Sequence, residues 1–347
     1  MIKLLGAIGG LLAATLIAGW VALGFGSDPQ RKCPASERVL VVIPKGAGVA
    51  QVAERLQASG VIHGTTRFGF RVRIESVSSK LHAGPILMCK GSSYSTAIEV
   101  LTKGGNATTL VTIPEGPASE EVAPIAAAAG VSGSYLGAVK AATGLDAKDF
   151  GAPASAGLEG FLFPSTYDLP LHPTANQLVA AQLKAFKSNF ASVDMRNARS
   201  KNLTPFDVVT IAAMVERETA VPKERPLVAA VIWNRLKQRI PLGIDATSRY
   251  EFRNWSRPLL ASQLASQSQW NTRIHAGLPP GPIGNPGLAS LQAAANPARS
   301  DALYYVVKPW SCGEHTFSRT SAEFERAVAA YNSARASNGG RAPTKCP

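Results

Sequence analysis

Acidic residues are scarce in this 347-residue chain: 23 Asp+Glu stand against 36 Lys+Arg, and charged residues of both signs make up only 17%. Hydrophobic residues nonetheless reach 46%, far above what a disordered chain carries. Several uncharged runs long and apolar enough to span a bilayer would mark a polytopic membrane protein; there is one such run, which excludes that class. Metal-binding spacings are missing as well. His63, His82, His172, His275 and His315 show no H-x-x-x-H, and the four cysteines show no C-x-x-C, so the sequence defines no metal site. There is no G-x-S-x-G, S-x-x-K, Walker A or strand-G-x-G-x-x-G-helix pattern, which argues against an esterase, a penicillin-type acyl enzyme, an NTPase or a dinucleotide enzyme. Carboxylate chemistry is what remains, and no cofactor is expected.

The exceptional uncharged run is Leu4–Ser27, 24 residues between Lys3 and Asp28-Pro29. At 1.5 Å per helical residue it spans a hydrocarbon core of about 30 Å. It exceeds the apolar part of a signal peptide, roughly 7–15 residues, and no small-x-small cleavage site follows it. The expectation is a single-pass anchor in the cell membrane at 4–27, with Trp20 near the outer interface, residues 1–3 cytoplasmic and the remainder extracytoplasmic. A cleaved signal is the alternative; either way residues 28–347 are exported. Cys33, Cys89, Cys312 and Cys346 suit such a compartment. Of three possible pairings, Cys33–Cys89 with Cys312–Cys346 is preferred, since each bond then staples one region; free thiols are the other possibility. The net charge of +13 is concentrated: residues 181–260 hold 14 Lys+Arg against 7 Asp+Glu. A polyanion, an acidic glycan or anionic lipid would complement that sign equally well.

Residues 39–61 recur at an offset of 70 as residues 109–131, with Ile43-Pro44, Gly46, Val52-Ala53 and Gly60-Val61 repeated as Ile113-Pro114, Gly116, Val122-Ala123 and Gly130-Val131. Each copy reads as a strand, a Gly turn and a short helix, with Val49, Val52, Ala53 and Leu56 on one face in the first. Residues 86–104 repeat the order, and Gly60 and Gly104-Gly105 mark helix ends. A Gly/Ala/Ser/Pro stretch at 150–158 reads as a linker or loop before an aromatic-rich segment running to Asp168. Helical patterns follow at 174–192, 204–220, 223–239, 286–296 and 321–336, with strand composition at Leu303–Lys308. The alternation predicts α+β rather than a doubly wound sheet.

The helix beginning at Thr204 is apolar almost all round, so it should be central, with Thr204 as N-cap, Pro205 at N1 and Asp207 at N3. It carries Glu216 and Glu218, which point roughly opposite ways. Glu218 shares its flank with Ile211, Met214 and Val215; Glu216 shares the smaller flank of Val209, Ala212 and Ala213. Bulky apolar neighbours strip water from a carboxyl and raise its pKa toward the ~6–7 that suits a general acid. Glu218 is therefore favoured as the acid, and Glu216 as an ion-pair partner of an arginine such as Arg217 or Arg235. Further along, four prolines and four glycines from Gly277 to Gly287 fix a loop that can wall a groove.

Five segments, LEGFLFPSTYDL (158–169), IAAMVERETA (211–220), PLGIDATSRY (241–250), GLPPGPIGNPGLASLQAAANPA (277–298) and GEHTFS (313–318), stand in the order and spacing of the YceG-like endolytic murein transglycosylases. The resemblance covers about residues 39–332. It departs at Gly84-Pro85-Ile86, where many relatives carry Gly-Thr-Tyr, and at Leu242-Gly243, where some have Leu-Gln. The resemblance implies an N-terminal membrane helix, a small LysM-like β-α module at 28–110, a connecting β-α region at 111–157, a larger α+β catalytic domain at 158–336 and a C-terminal tail at 337–347. It implies non-hydrolytic cleavage of MurNAc–GlcNAc β-1,4 bonds inside peptidoglycan strands, leaving 1,6-anhydroMurNAc ends. It also places the catalytic acid on Glu218. Candidate substrate contacts on the shared segments and the Trp270–Arg273 turn are Glu159, Tyr167, Asp245, Thr247, Asn271, Thr272, Pro279 and His315. Two-carboxylate hydrolysis, with Asp245, Glu159 or Glu216 as the second group, and a non-catalytic glycan-binding scaffold are the alternatives. The expected partners are peptidoglycan strands, the membrane through the N-terminal helix and cell-wall synthases, but not nucleic acid.

Overall fold

A computed structural model of the chain describes residues 33–104 and 107–346, and the expected anchor at 4–27 lies outside them. Among the described residues, no helix is long and apolar enough to cross a membrane. The fold is α+β, with thirteen α-helices and three two-stranded sheets among those residues. Contacts divide the chain into two compact units: one runs to Thr109 and includes Pro170–His172, and the other holds Leu110–Leu169 and the chain from Pro173 onward.

The first unit runs β1 (Arg38–Ile43), α1 (Val49–Ala58), α2 (Thr65–Ile74), β2 (Gly84–Cys89) and α3 (Tyr94–Lys103). β1 and β2 pair antiparallel, with Val39 opposite Met88 and Val41 opposite Ile86. Strand alternation turns Val41, Ile43, Ile86 and Met88 inward against Val52, Ala53 and Leu56 of α1. The repeat predicted from sequence holds in the backbone: Gly46 and Gly116 have φ of 79° and 97°, Gly60 and Gly130 of 71° and 81°. The amides of Val61 and Val131 close the two helix ends identically, on Leu56 O and Ala126 O. α2 was not legible in advance, because arginines interrupt its pattern; only Phe68, Arg71 and Val72 are buried, and Arg71 is held by Glu75 at 2.8 Å.

β3 (Thr108–Thr112), most of which belongs to the second unit, pairs with β4 (Thr166–Pro170), and α4 (Ser119–Ala128) and α5 (Tyr135–Ala141) lie between them in sequence. Helices α6 (Ala175–Phe190), α7 (Arg196–Arg199), α8 (Pro205–Glu218), α9 (Arg225–Gln238), α10 (Asp245–Glu251), α11 (Ala261–Leu264) and α12 (Leu288–Ala295) follow. A hairpin of β5 (Tyr304–Val307) and β6 (His315–Ser318) leads to α13 (Ser321–Ser337). α8 is the predicted central helix: residues 208–215 are all buried, and it packs on α9, α10 and α12. The aromatic segment supplies Phe161, whose ring stands edge-on to Phe186 at 4.9 Å and to Phe150 at 5.2 Å. Phe150 thereby draws the 150–158 stretch into the core of this unit as a loop.

The Pro/Gly loop is internal. Residues 281–287 are buried, and Asn285 is their hub: its Oδ1 accepts from the amides of Gly160 at 2.9 Å and Leu162 at 3.0 Å, while its Nδ2 donates to Pro117 O at 3.0 Å and Glu159 Oε1 at 2.8 Å. Glycine is required at Gly284, where φ is 157° and a Cβ would strike the carbonyl oxygen of Gly116. The loop clasps three chain segments rather than walling a groove.

The preferred disulfides are both present. Cys33–Cys89 closes the first unit and Cys312–Cys346 the second, where Trp310 N also bonds Pro343 O at 2.7 Å. Replacing Cys33 and Cys89 by alanine should lower stability by about 2–4 kcal/mol. The loss should appear in the early transition of a denaturant titration, and an unchanged curve would refute it.

Candidate active site

The site begins where α8 ends. Thr204 and Asp207 form a reciprocal cap at the start of the helix: the Asp207 amide donates to Thr204 Oγ1 at 3.1 Å, and the Thr204 amide to Asp207 Oδ2 at 2.7 Å. Burial of the body then fixes the last turn, from which the two glutamates leave.

Glu216 is neutralised. Its side chain is 6% exposed, takes an ion pair from Arg225 at 2.9 Å and accepts from the Gly287 amide at 3.0 Å. Arg225 also donates to Ser290 Oγ at 3.1 Å and lies 3.5 Å from Glu115. The partner is thus Arg225, not Arg217 or Arg235. Arg217 pairs with Glu121 and lies over the Trp255 ring at 3.6 Å. Arg235 is spent on the carbonyls of Leu303, Pro241 and Leu242 at 2.6–3.1 Å.

Glu218 is the last residue of α8 and has no ion pair to Lys or Arg among the described residues. Its Oε2 accepts one hydrogen bond, from Tyr305 Oη on β5 at 3.0 Å. Loss of hydration raises its carboxyl above the usual range, and the Asp245 charge pushes the same way, against the Tyr305 bond, His315 and Arg249. The negative end of the helix dipole also disfavours the carboxylate. Burial and the Glu218 charge hold the Tyr305 phenol well above its ordinary value, so it remains a donor at any working pH.

Asp245 on α10 and His315 on β6 are therefore near enough to Glu218 for their charges to act on it. Asp245 is paired with Arg273 at 2.6 Å. His315 is held at both ends by Glu224, which accepts from its backbone amide at 3.0 Å and bonds Nδ1 at 2.8 Å; a carboxylate only accepts, so Nδ1 carries the proton. The His315 ring stands edge-on to Tyr305 at 5.3 Å.

The other candidates are engaged internally. Thr247, Asn271 and Thr272 are at most 1% exposed. Thr247 Oγ1 donates to Ile244 O at 2.8 Å, Thr272 Oγ1 accepts from Ile244 N at 3.0 Å, and Asn271 Nδ2 ties Leu264 O and Ser266 O at 3.0 and 2.8 Å. Thr247 and Thr272 thereby set the start of α10 and so the position of Asp245, while Asn271 fixes the turn after α11. Tyr167 donates to Phe163 O, and Pro279 is buried in the Pro/Gly loop. Glu159 accepts from Ser119 N at 3.1 Å as well as from Asn285; burial outweighs these bonds and lifts its carboxyl to about 7. It lines a cleft of the second unit, a lining that does not include Glu218. Tyr305 and Glu224 were missed. The composition of Leu303–Lys308 announced a strand, and nothing local announced which helix end it would meet.

The described residues hold no group of three or more His, Cys, Asp or Glu placed for a metal ion. The arrangement is that of an α+β protein with one cation-free, raised-pKa carboxyl at a helix end, set for proton transfer. The sequence profile of the YceG-like family matches residues 41–330, and the chain belongs to that family. An endolytic murein transglycosylase of Bacillus subtilis is 29% identical over 316 residues, covering 86% of each chain. One of Streptococcus pneumoniae is 29% identical over 300 residues, covering 77% of this chain and 54% of its own length. A crystal structure of a yceG-like protein from Listeria monocytogenes superposes with a TM-score of 0.56 at 25% identity, over 84% of this chain and 99% of that one.

Proposed function

We propose that the chain cuts glycan strands of peptidoglycan internally and without water, with Glu218 as both acid and base. Its family and its curated relatives make it an enzyme of the lytic transglycosylase class, a lyase acting on peptidoglycan. The observation that carries the residue assignment is the contrast at the end of α8: Glu216 is bound to a cation and Glu218 only to a phenol. A carboxyl without a cation, its pKa raised, holds a proton to give. Glu218 protonates the glycosidic oxygen of the MurNAc–GlcNAc bond as the C1–O bond breaks. The resulting carboxylate takes the proton of the C6 hydroxyl, and O6 closes on C1, leaving a 1,6-anhydro end. One carboxyl serves both steps. A hydrolase would need a second carboxylate roughly 5–9.5 Å away and free to act. Asp245 is committed to Arg273, Glu216 to Arg225, and Glu159 to Ser119 and Asn285.

Mass spectrometry of digested peptidoglycan tests the reaction: anhydro ends are expected, and new reducing ends would establish hydrolysis instead. Tyr305→Phe tests the site. Removing the Tyr305 hydroxyl, the one donor to Glu218 among the described residues, removes an interaction that favours the carboxylate, so its pKa climbs further. The acid form then persists to higher pH, and the alkaline limb of the kcat/KM profile should move upward. A limb that stays or moves down would refute the role.

The β-α-α-β order of the first unit supports reading it as a LysM-like module. With the apolar run at 4–27 as an uncleaved anchor, the enzyme works at the outer face of the cell membrane. The full chain should then stay with membranes through carbonate extraction, whereas release of a fragment beginning near residue 28 would show a cleaved signal.

A further inference from the structure

A cleft of about 830 Å³ lies within the second unit and is not used by the reaction above. It lies among α4, α5, the 142–147 and 156–159 segments, and the end of α10 with Trp255 and Trp270. α10 carries both places: Asp245 and Arg249 act on the carboxyl of Glu218, while Tyr250 and Glu251 line the cleft. Glu218 does not line it.

Aromatic rings are its first component. Trp270 packs against Tyr250 with centroids 4.8 Å apart, and the Arg217 guanidinium sits 3.6 Å from the centre of the Trp255 ring. Arg217 is outside the lining and is itself fixed by Glu121, so it backs Trp255. Rings held this way before a ligand arrives cost little entropy on binding.

An unmet acceptor is the second. Among the described residues, Glu251 Oε2 is buried without a hydrogen-bond partner, and Oε1 has only a 3.4 Å contact from Ser266. Oε2 is closed off from solvent, whereas Oε1, with that one long contact, has lone-pair capacity left for a donor. The charge of the lining narrows the class of ligand. Glu120, Asp146, Glu159 and Glu251 outnumber Lys140 and Arg253, which disfavours phosphates and other anions. A pyranose fits the rest: its C–H face lies on aromatic rings, and its hydroxyl and acetamido groups donate to carboxylates. The volume falls within the 300–1,000 Å³ range of small-ligand sites.

We propose that this cleft is a second saccharide-binding site, which holds a hexosamine unit of a glycan strand away from the bond being broken. The choice of hexosamine rests on the peptidoglycan reading; the cleft does not.

The test uses the full chain as Glu218→Gln, so that ligand survives, labelled with 5-fluorotryptophan and titrated with chitotetraose. The resonances of Trp255 and Trp270, assigned with Trp→Phe variants, should shift saturably. Glu251→Ala, and more mildly Glu251→Gln, should weaken the affinity read from those shifts, the former by about ten-fold, the range for a lost hydrogen bond to a charged group. A thermal melt confirms that each variant is folded. Shifts that leave Trp255 and Trp270 untouched, an affinity indifferent to Glu251, or displacement of the sugar by free lysine would each overturn the proposal. Product analysis of the unsubstituted enzyme keeps the two claims apart. Normal anhydro product with no sugar in the cleft removes only the second site, and a filled cleft with no anhydro product removes only the reaction.

Discussion

Glu218→Gln is expected to fold normally and to make no detectable anhydro product. Glutamine keeps the size of the side chain and an oxygen for the Tyr305 hydroxyl, so the turn at the end of α8 has no reason to move. What it lacks is a proton to give and a basic oxygen to receive one. Losing a general acid or base typically costs about 10²–10⁴-fold, and here both steps use one group, so the loss should lie at or beyond the upper figure. Glu216→Gln should retain much more activity, because its carboxylate is occupied by Arg225 and the Gly287 amide. Turnover by a folded Glu218→Gln protein, or product lost only in the Glu216 variant, would remove the assignment.

Arg225→Ala should have the largest effect on stability. Arg225 is 13% exposed and faces Glu216 at 6% and Glu115 at 48%. Taking away the cation leaves the Glu216 charge buried with one backbone amide for company, a change that typically costs about 3–5 kcal/mol. For a domain of this size each kcal/mol lowers Tm by roughly 2–4 °C, so a fall near 10 °C is expected in calorimetry. Adding Glu216→Gln to Arg225→Ala should recover part of that loss, because no unpaired charge then remains, and the coupling can be read from a double-mutant cycle. A loss under about 1 kcal/mol, or no recovery in the double variant, would show that the pair is not the main support of the helix end.

Much of this could be read from the residues. Thr204, Pro205 and the apolar body placed α8 and its centrality, the 70-residue offset placed α1 and α4, and the two cysteines at each end found each other. The physical reason first given for choosing between the glutamates was incomplete. Both flanks of α8 are buried, Val209, Ala212 and Ala213 as completely as Ile211, Met214 and Val215, so flank bulk does not separate them. Arg225 does, together with the amide of Gly287, 71 residues beyond Glu216. Tyr305 reaches Glu218 across 87 residues. Such pairings depend on tertiary packing, to which hydrophobic periodicity is blind. Thr247, Asn271 and Thr272 illustrate the converse: polar residues that look like ligand contacts serve to satisfy backbone groups at the start of α10 and after α11.

The two disulfides join cysteines that are neighbours in the order of the chain, the first with the second and the third with the fourth. A polypeptide synthesised from its N-terminus offers Cys33 and Cys89 to an oxidant before Cys312 exists. The first partner each thiol meets is then the native one, and random early oxidation leads to the right connectivity without reshuffling. Maturation of this protein should therefore depend on a donor of oxidising equivalents and hardly at all on a disulfide isomerase.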